Sequence, residues 1–346
     1  MSNKGIHRRS FIKTFGLLGC GLASGGLLPL SSGIAGANGK PERFTDTRLA
    51  MGTYVSIILI HPLEKNAKEA VDAAFEEIDR LSRLMTRFDD ESPIGRLNRE
   101  GRLEDAHPDL IEVISEAIKY YRLTGGAFDI SIKPVIDLFK EKFSGERAEY
   151  PKEKEIKNAI NLVGSDKIEI KGRNIGFNKP GMGITLDGIA KGYIVDKVST
   201  IFLGLDIANH LINAGGDVKA VGHRTDGRPW KVGIQDPMKK KEYLDTISLT
   251  DAAVATSGNY ENYFDDEKVF HHIANPKTGL SPVLNSSASV IAPAAAEADA
   301  LATGLMVMDP NDGINFIDSM PDREALIISR EGRMKRSKGW ESLKEY

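Results

Sequence analysis

The sequence predicts an α+β fold, with mixed or antiparallel sheets and flanking helices. Three observations carry that prediction. Apolar residues recur at helical spacing in three long segments, short β-branched runs fill the second half, and the two kinds never alternate in the strict order of a parallel sheet. With 41% apolar residues among 346, the chain can bury a full core, as one large domain or two intimate lobes.

The elements follow in order. Thr53 to Ile60 is mostly β-branched and apolar, a strand. Leu63 to Phe88 sets Val71, Phe75, Ile78, Leu81 and then Leu84 or Met85 at three- and four-residue steps, an amphipathic helix. Pro108 opens a second helix through Leu110, Ile111, Val113, Ile114, Ala117, Ile118 and Tyr121, ended near Gly125-Gly126. Lys140 to Lys154, rich in Lys and Glu, reads as a solvated loop or helix. A third helix runs from Gly188 or Ile189 to Phe202, with Ile194, Val195, Val198, Ile201 and Phe202 inward. Short strands follow at Leu211 to Asn213, Val218 to Val221, Trp230 to Ile234, Tyr243 to Leu249 and Val269 to Ala274, separated by Gly, Asp and Pro. A strand at Ala288 to Ile291 leads into a last helix.

Residues 1–37 read as a targeting segment, leaving 38–346 as the working domain. His7-Arg8-Arg9-Ser10-Phe11-Ile12-Lys13 precedes a glycine-rich apolar stretch, and Ala35-Gly36-Ala37 supplies small residues for a signal peptidase. The paired arginines resemble a bacterial Tat signal and predict export to the periplasm. Gly, Ser and Pro29 dilute the apolar run below a convincing membrane span. Leu17-Leu18-Gly19-Cys20 loosely resembles a lipoprotein box, which would anchor the protein by lipid, but it leaves a short apolar core after Lys13. Cleavage after Ala37 is the favoured reading. Removing those 37 residues from 346 leaves 309, none of them cysteine, and the loss of four basic side chains moves the net charge from −3 to −7. Stability then rests on packing and not on disulfides, and such an acidic chain is a poor partner for nucleic acid.

Two segments carry the chemistry. In the last helix Asp299 and Thr303 are four apart, so both oxygens project from one face, and two hard oxygens suit a hard cation. A solvated pair, or a threonine bonding back to a carbonyl, is the structural alternative. Upstream, Gly183 to Gly192 places three glycines and Lys191 at the start of a helix, where backbone N–H groups and the dipole receive phosphate oxygens. The spacing matches neither the nucleotide P-loop nor the Rossmann fingerprint. In Thr124-Gly125-Gly126-Ala127-Phe128-Asp129, the glycines either end a helix with Phe128 in the core, or admit a planar ligand beside Phe128 with Asp129 accepting a hydrogen bond. His271-His272 invites zinc, but neighbours on a strand face opposite ways and no cysteine accompanies them. A single histidine as general base or phosphate partner fits better. Asn213-Ala214-Gly215-Gly216-Asp217 reads only as a turn into a strand.

Taken in order, Met51-Gly52-Thr53, Gly126-Ala127-Phe128-Asp129, Leu186-Asp187-Gly188-Ile189-Ala190-Lys191-Gly192-Tyr193, Ala214-Gly215-Gly216-Asp217, Thr256-Ser257-Gly258-Asn259-Tyr260, His272-Ile273-Ala274-Asn275-Pro276 and Ala298-Asp299-Ala300-Leu301-Ala302-Thr303 resemble the ApbE family. The resemblance runs from about residue 45 to residue 335. It implies an ApbE-like fold with a FAD and Mg²⁺ site between lobes. It also implies an exported FAD:protein FMN transferase that moves FMN onto a threonine or serine hydroxyl of an acceptor, a membrane-associated redox subunit, and releases AMP.

By the same resemblance Asp299 and Thr303 match side-chain ligands of Mg²⁺, and Gly188 matches the residue giving a carbonyl. Met51, Ala127, Phe128, Asp129, Lys191, His272 and Ala274 match FAD-contacting positions. Many members carry an acid three residues before the carbonyl ligand. Here that position is Thr185, and the acid is Asp187, which enters the FAD-binding set through a shifted contact. The Trp-Gly-Phe often found after Pro134 is also missing. For catalysis, His272 is the candidate general base and Lys191 steadies the phosphates. The competing readings are a FAD pyrophosphatase, in which water replaces the protein hydroxyl, and a non-catalytic flavin-binding protein of the cell envelope.

Overall fold

A computed structural model describes residues 40–144, 149–260, 263 and 270–342; the predicted signal, 1–37, lies outside them. Its centre is an eight-stranded sheet: β1 (Glu42–Ala50), β2 (Thr53–His61), β3 (His210–Ala214), β4 (Asp217–Val221), β5 (Ala252–Gly258), β6 (Asn285–Ala292), β7 (Glu324–Ser329) and β8 (Met334–Arg336). Each strand pairs antiparallel with the next of the eight along the chain. The α+β prediction holds.

Around the sheet stand α1 (Glu64–Met85), α2 (Pro93–Glu100), α3 (Pro108–Leu123), α4 (Lys133–Ser144), α5 (Glu153–Ile160), α6 (Ala190–Gly204), α7 (Ala295–Val307) and α8 (Pro310–Asp318). Strand β2 explains why its segment reads as a continuous apolar run. Val55, Ile57 and Leu59 join the larger core with α1, α3, α6 and α7, while Ile58 and Ile60 join a second core with Trp230, Ile234, Ile247 and Leu249. That second layer is the hairpin Trp230–Gln235 and Tyr243–Leu249, so both faces of β2 are covered.

The hairpin turns set one end of the sheet. Ala50 pairs with Thr53 around Met51-Gly52, both at positive φ (52° and 73°), the two-residue turn that matches strand twist. Gly215-Gly216 turns β3 into β4 at φ 63° and 105°, and a Cβ on Gly215 would stand 2.5 Å from Thr53 Oγ1. Side by side, the two turns form one rim.

Helices α6 and α7 are locked together there. A Cβ on Gly192 would lie 2.3 Å from the Ala295 carbonyl oxygen, so the backbones meet with no room for a side chain. Neither helix caps itself, since Ile189 and Ala294 at the N-cap positions make no side-chain cap bond. Each is capped by the other. Asp196 of α6 accepts from the Ala295 and Ala296 N–H groups, both at 2.9 Å, and Asp299 of α7 accepts from Gly192 N–H at 3.3 Å. Burial pushes the Asp196 carboxyl up, and the two amide donors oppose that shift.

Two expectations need correction. Val269 to Ala274 is not a strand over its described residues, 270–274, which make one isolated bridge, Tyr263 with His271. Side chains have taken the backbone donors: His271 N–H bonds Ser281 Oγ at 2.9 Å and Ile273 N–H bonds His271 Nδ1 at 3.3 Å. Lys140 to Lys154 is no independent excursion, because Lys140 to Ser144 continues α4 and Glu153 opens α5. Phe139 and Phe143 give α4 an apolar side that packs on Phe270, at 4.9 and 5.7 Å between ring centroids.

Gly192→Ala tests the helix contact. Alanine gains about 1 kcal/mol of helix propensity, but the overlap with a backbone carbonyl costs about 1–3 kcal/mol or more. Denaturant unfolding should therefore show net loss of stability; a variant as stable as the parent would show that the helices can part freely.

Candidate active site

The predicted metal pair faces the start of α6. Asp299 is 5% exposed and reaches back to Gly192. One turn on, Thr303 Oγ1 lies 3.0 Å from Ser257 Oγ of β5. Opposite stands Gly188, where a Cβ would be 2.8 Å from Thr303 Oγ1 and 3.3 Å from the Phe128 ring. Glycine alone leaves that space, so the turn before α6 is pressed against the threonine hydroxyl. The structure thus brings Gly188, Asp299 and Thr303 together from positions more than a hundred residues apart in the chain.

Lys191 is held on the same helix end. Its ammonium lies 3.0 Å from Asp217 Oδ2, the first residue of β4, with the aspartate side chain 2% exposed and the lysine 31%. The buried carboxylate fixes the lysine while leaving part of it open to a ligand. Met51 is half-buried in its turn on the same rim.

The remaining predicted contacts divide. Phe128 is 2% exposed and packs between Gly188 and Gly304, so its side chain takes the core alternative, with Ala127 half-buried before it. Asp129 turns inward: its Oδ1 accepts from Ser131 N–H at 2.8 Å, Ser131 Oγ at 2.6 Å and Ser165 Oγ at 2.6 Å. Burial raises its pKa against those bonds. Asp187 points to Arg87, whose Nε and Nη2 both donate to Asp187 Oδ2 at 2.9 and 2.7 Å.

His272 and Ala274 arrive on the 270–275 loop. Of the two histidines, His271 is the structural one: 1% exposed, it accepts from Ile273 N–H at Nδ1, which leaves Nε2–H to donate to the Pro282 carbonyl at 3.2 Å. His272 is half-buried beside it, and Ala274 packs on the core under α4.

Three neighbours had no role assigned from the sequence. Asp217 and Ser257 both lie inside quoted motifs, so the signal was present and only the contact was missing. Arg87 lies in none of them. Among the described residues no three His, Cys, Asp or Glu side chains gather as a metal-like group. A cation at α6 would instead rest on one carboxylate, one hydroxyl and one carbonyl, a hard-oxygen set of the kind magnesium accepts alongside waters and phosphates.

The chain and its fold are similar to those of known proteins. A FAD:protein FMN transferase of Vibrio cholerae serotype O1 is 29% identical over 312 residues, covering 87% of this chain and 92% of its own. One of the same description from Treponema pallidum is 26% identical over 332 residues, covering 89% and 90%. The crystal structure of the ApbE protein of Thermotoga maritima superposes with a TM-score of 0.77 at 31% identity, over 86% of this chain and 97% of that one. The flavin transferase ApbE from Vibrio cholerae gives 0.75 at 26%, over 86% and 98%. The ApbE family pattern matches residues 51–327, most of the chain, and the chain belongs to the ApbE family.

Proposed function

We propose that this protein transfers FMN from FAD onto a threonine or serine hydroxyl of an acceptor protein, releasing AMP. The observation that carries this reading is the meeting of Gly188, Asp299 and Thr303 with Lys191 at one helix N-terminus, in a chain whose full-length relatives are described as FAD:protein FMN transferases. Those descriptions favour transfer over hydrolysis to free FMN and over flavin binding alone.

The acceptor oxygen attacks the FMN-side phosphorus as the bridging P–O bond to AMP breaks, and the hydroxyl proton passes to His272. The pyrophosphate brings about two negative charges, which repel that oxygen and make AMP a poor leaving group. Lys191, steadied by Asp217, offsets part of this charge, and the N-terminus of α6 adds its dipole. Gly188, Asp299 and Thr303 would hold Mg²⁺, which when bound supplies further charge neutralisation. Ser257, sharing the Thr303 hydroxyl, orients its lone pairs. The paired arginines at Arg8-Arg9 support a reaction outside the cytoplasm, after Tat export. A membrane-associated redox subunit is the acceptor class that fits such a location.

Incubation with FAD, Mg²⁺ and a candidate acceptor should give a fluorescent protein band that survives denaturation, with AMP in equal amount; free FMN in place of the band would overturn the reading. His272→Ala should slow transfer by about 10²- to 10⁴-fold while FAD affinity, read by flavin fluorescence, stays within about twofold of the parent. Equal loss of both would remove His272 from the general-base role. Asp299→Ala should raise the magnesium concentration needed for half-maximal rate, with added Mg²⁺ restoring part of the turnover; a magnesium dependence identical to the parent's would exclude Asp299 as a ligand.

A further inference from the structure

We propose that the Arg87–Asp187 ion pair is a clamp on the turn before α6, setting where the Gly188 carbonyl stands relative to Thr303. Arg87 is then a positioning residue of the oxygen cluster. The inference rests on the flavin-transfer reading for what that cluster does.

The segment leading to Gly188 is held mainly through its backbone. Asn98 of α2 bonds both backbone polar groups of Ile184, at 2.7 and 3.0 Å, and Thr185 N–H bonds the Ile130 carbonyl at 2.8 Å. Past Thr185 the Leu186 carbonyl accepts from Ile189 N–H at 3.0 Å and from Ala190 N–H at 2.8 Å, and Asp187 N–H meets Thr185 Oγ1 at 3.2 Å, so the turn is closed around Gly188, which has no side chain of its own. Those bonds shape the turn from within; the two-toothed grip of Arg87 on Asp187 ties it to the rest of the fold, one residue from the carbonyl.

Arg87 suits this task because its own base is rigid. It sits between α1 and α2, where Ser92 Oγ donates to the Thr86 carbonyl at 2.5 Å and accepts from Gly95 N–H at 2.9 Å. Its side chain is only 9% exposed against 47% for Asp187, and its guanidinium carbon lies 4.4 Å over the Phe88 ring. A buried, stacked arginine holding a half-exposed acid fixes the acid, not the reverse.

The surrounding charges supply a sharp alternative. Lys140 lies 5.3 Å from the same ring, its ammonium pushed down by burial and by Arg87, and Lys133 pairs with Asp137 beside it. If the pair acted only through this field, removing Asp187 would favour the pyrophosphate and removing Arg87 would disfavour it. A clamp gives both losses the same sign.

The test uses the mature chain with FAD present and reads the Mg²⁺-dependent rise in unfolding midpoint, together with FAD affinity from flavin fluorescence. Arg87→Gln and Asp187→Asn should each raise the magnesium needed for the half-maximal rise by about three- to tenfold, and the double variant should be no worse than either single one. Arg87→Lys keeps the charge but loses the fork, and should behave like Arg87→Gln; it also carries the test if the glutamine variant folds poorly. Opposite shifts in FAD affinity for the two singles, with magnesium demand unchanged, would overturn the clamp in favour of a field effect. Additive effects in the double variant would overturn it too. A parent that shows no magnesium response refutes the metal reading and the clamp with it, whereas a responding parent matched by all variants refutes the clamp alone.

Discussion

The site depends on one contact, the place where α6 and α7 cap each other. A helix end buried without acceptors is costly, because several N–H groups lose water and gain nothing. Both helices begin in the interior with Ile189 and Ala294 at their caps, residues that supply no acceptor. Asp196 and Asp299 solve the problem reciprocally, and Gly192 lets the backbones close to the distance at which they can. The result fixes the relative height of the two helices. That in turn puts Thr303 beside Gly188 and leaves Lys191 facing Asp217. Asp299 therefore has structural work before any ligand arrives.

Much of the fold was legible because periodicity reports burial. The helices α1, α3 and α6 stand close to where their apolar spacing places them, and the run Thr53 to Ile60 is apolar because both faces of β2 are covered. The failures have a common cause. Phe270 to Ala274 has the composition of a strand, yet Ser281 and the His271 ring take its backbone donors, a competition that no local pattern encodes. The half of α4 in Lys140 to Ser144 is dominated by charge in sequence, and only the aromatic contact with Phe270 shows which side is inward.

The site was legible to the extent that its residues lie in motifs. Gly188, Lys191, Asp299 and Thr303 were singled out, and the fold assembles them. Their partners were harder. Asp217 looked like a turn residue because its value lies in a lysine twenty-six positions upstream. Asp129 carries a predicted ligand contact, but it turns inward to Ser131, two residues on, and to Ser165, more than thirty residues later. For Asp187, the acid displaced from its usual position, the decisive fact was Arg87, a hundred residues away and outside every motif.

The order of the sheet has a consequence for how the protein is made. Strands β1 and β2 form a local hairpin, but β3, the neighbour of β2, enters only after residues 62–209, which include α1 to α6, have been laid down. Closing so large a loop is slow, since its entropy is lost before the pairing rewards it. Until then, the apolar edge of β2 stands open to any other strand. The rim that carries Met51 and the helix start that carries Lys191 belong to opposite ends of that interval. A half-folded chain has neither a site nor a closed sheet, so competence to handle flavin coincides with protection from aggregation.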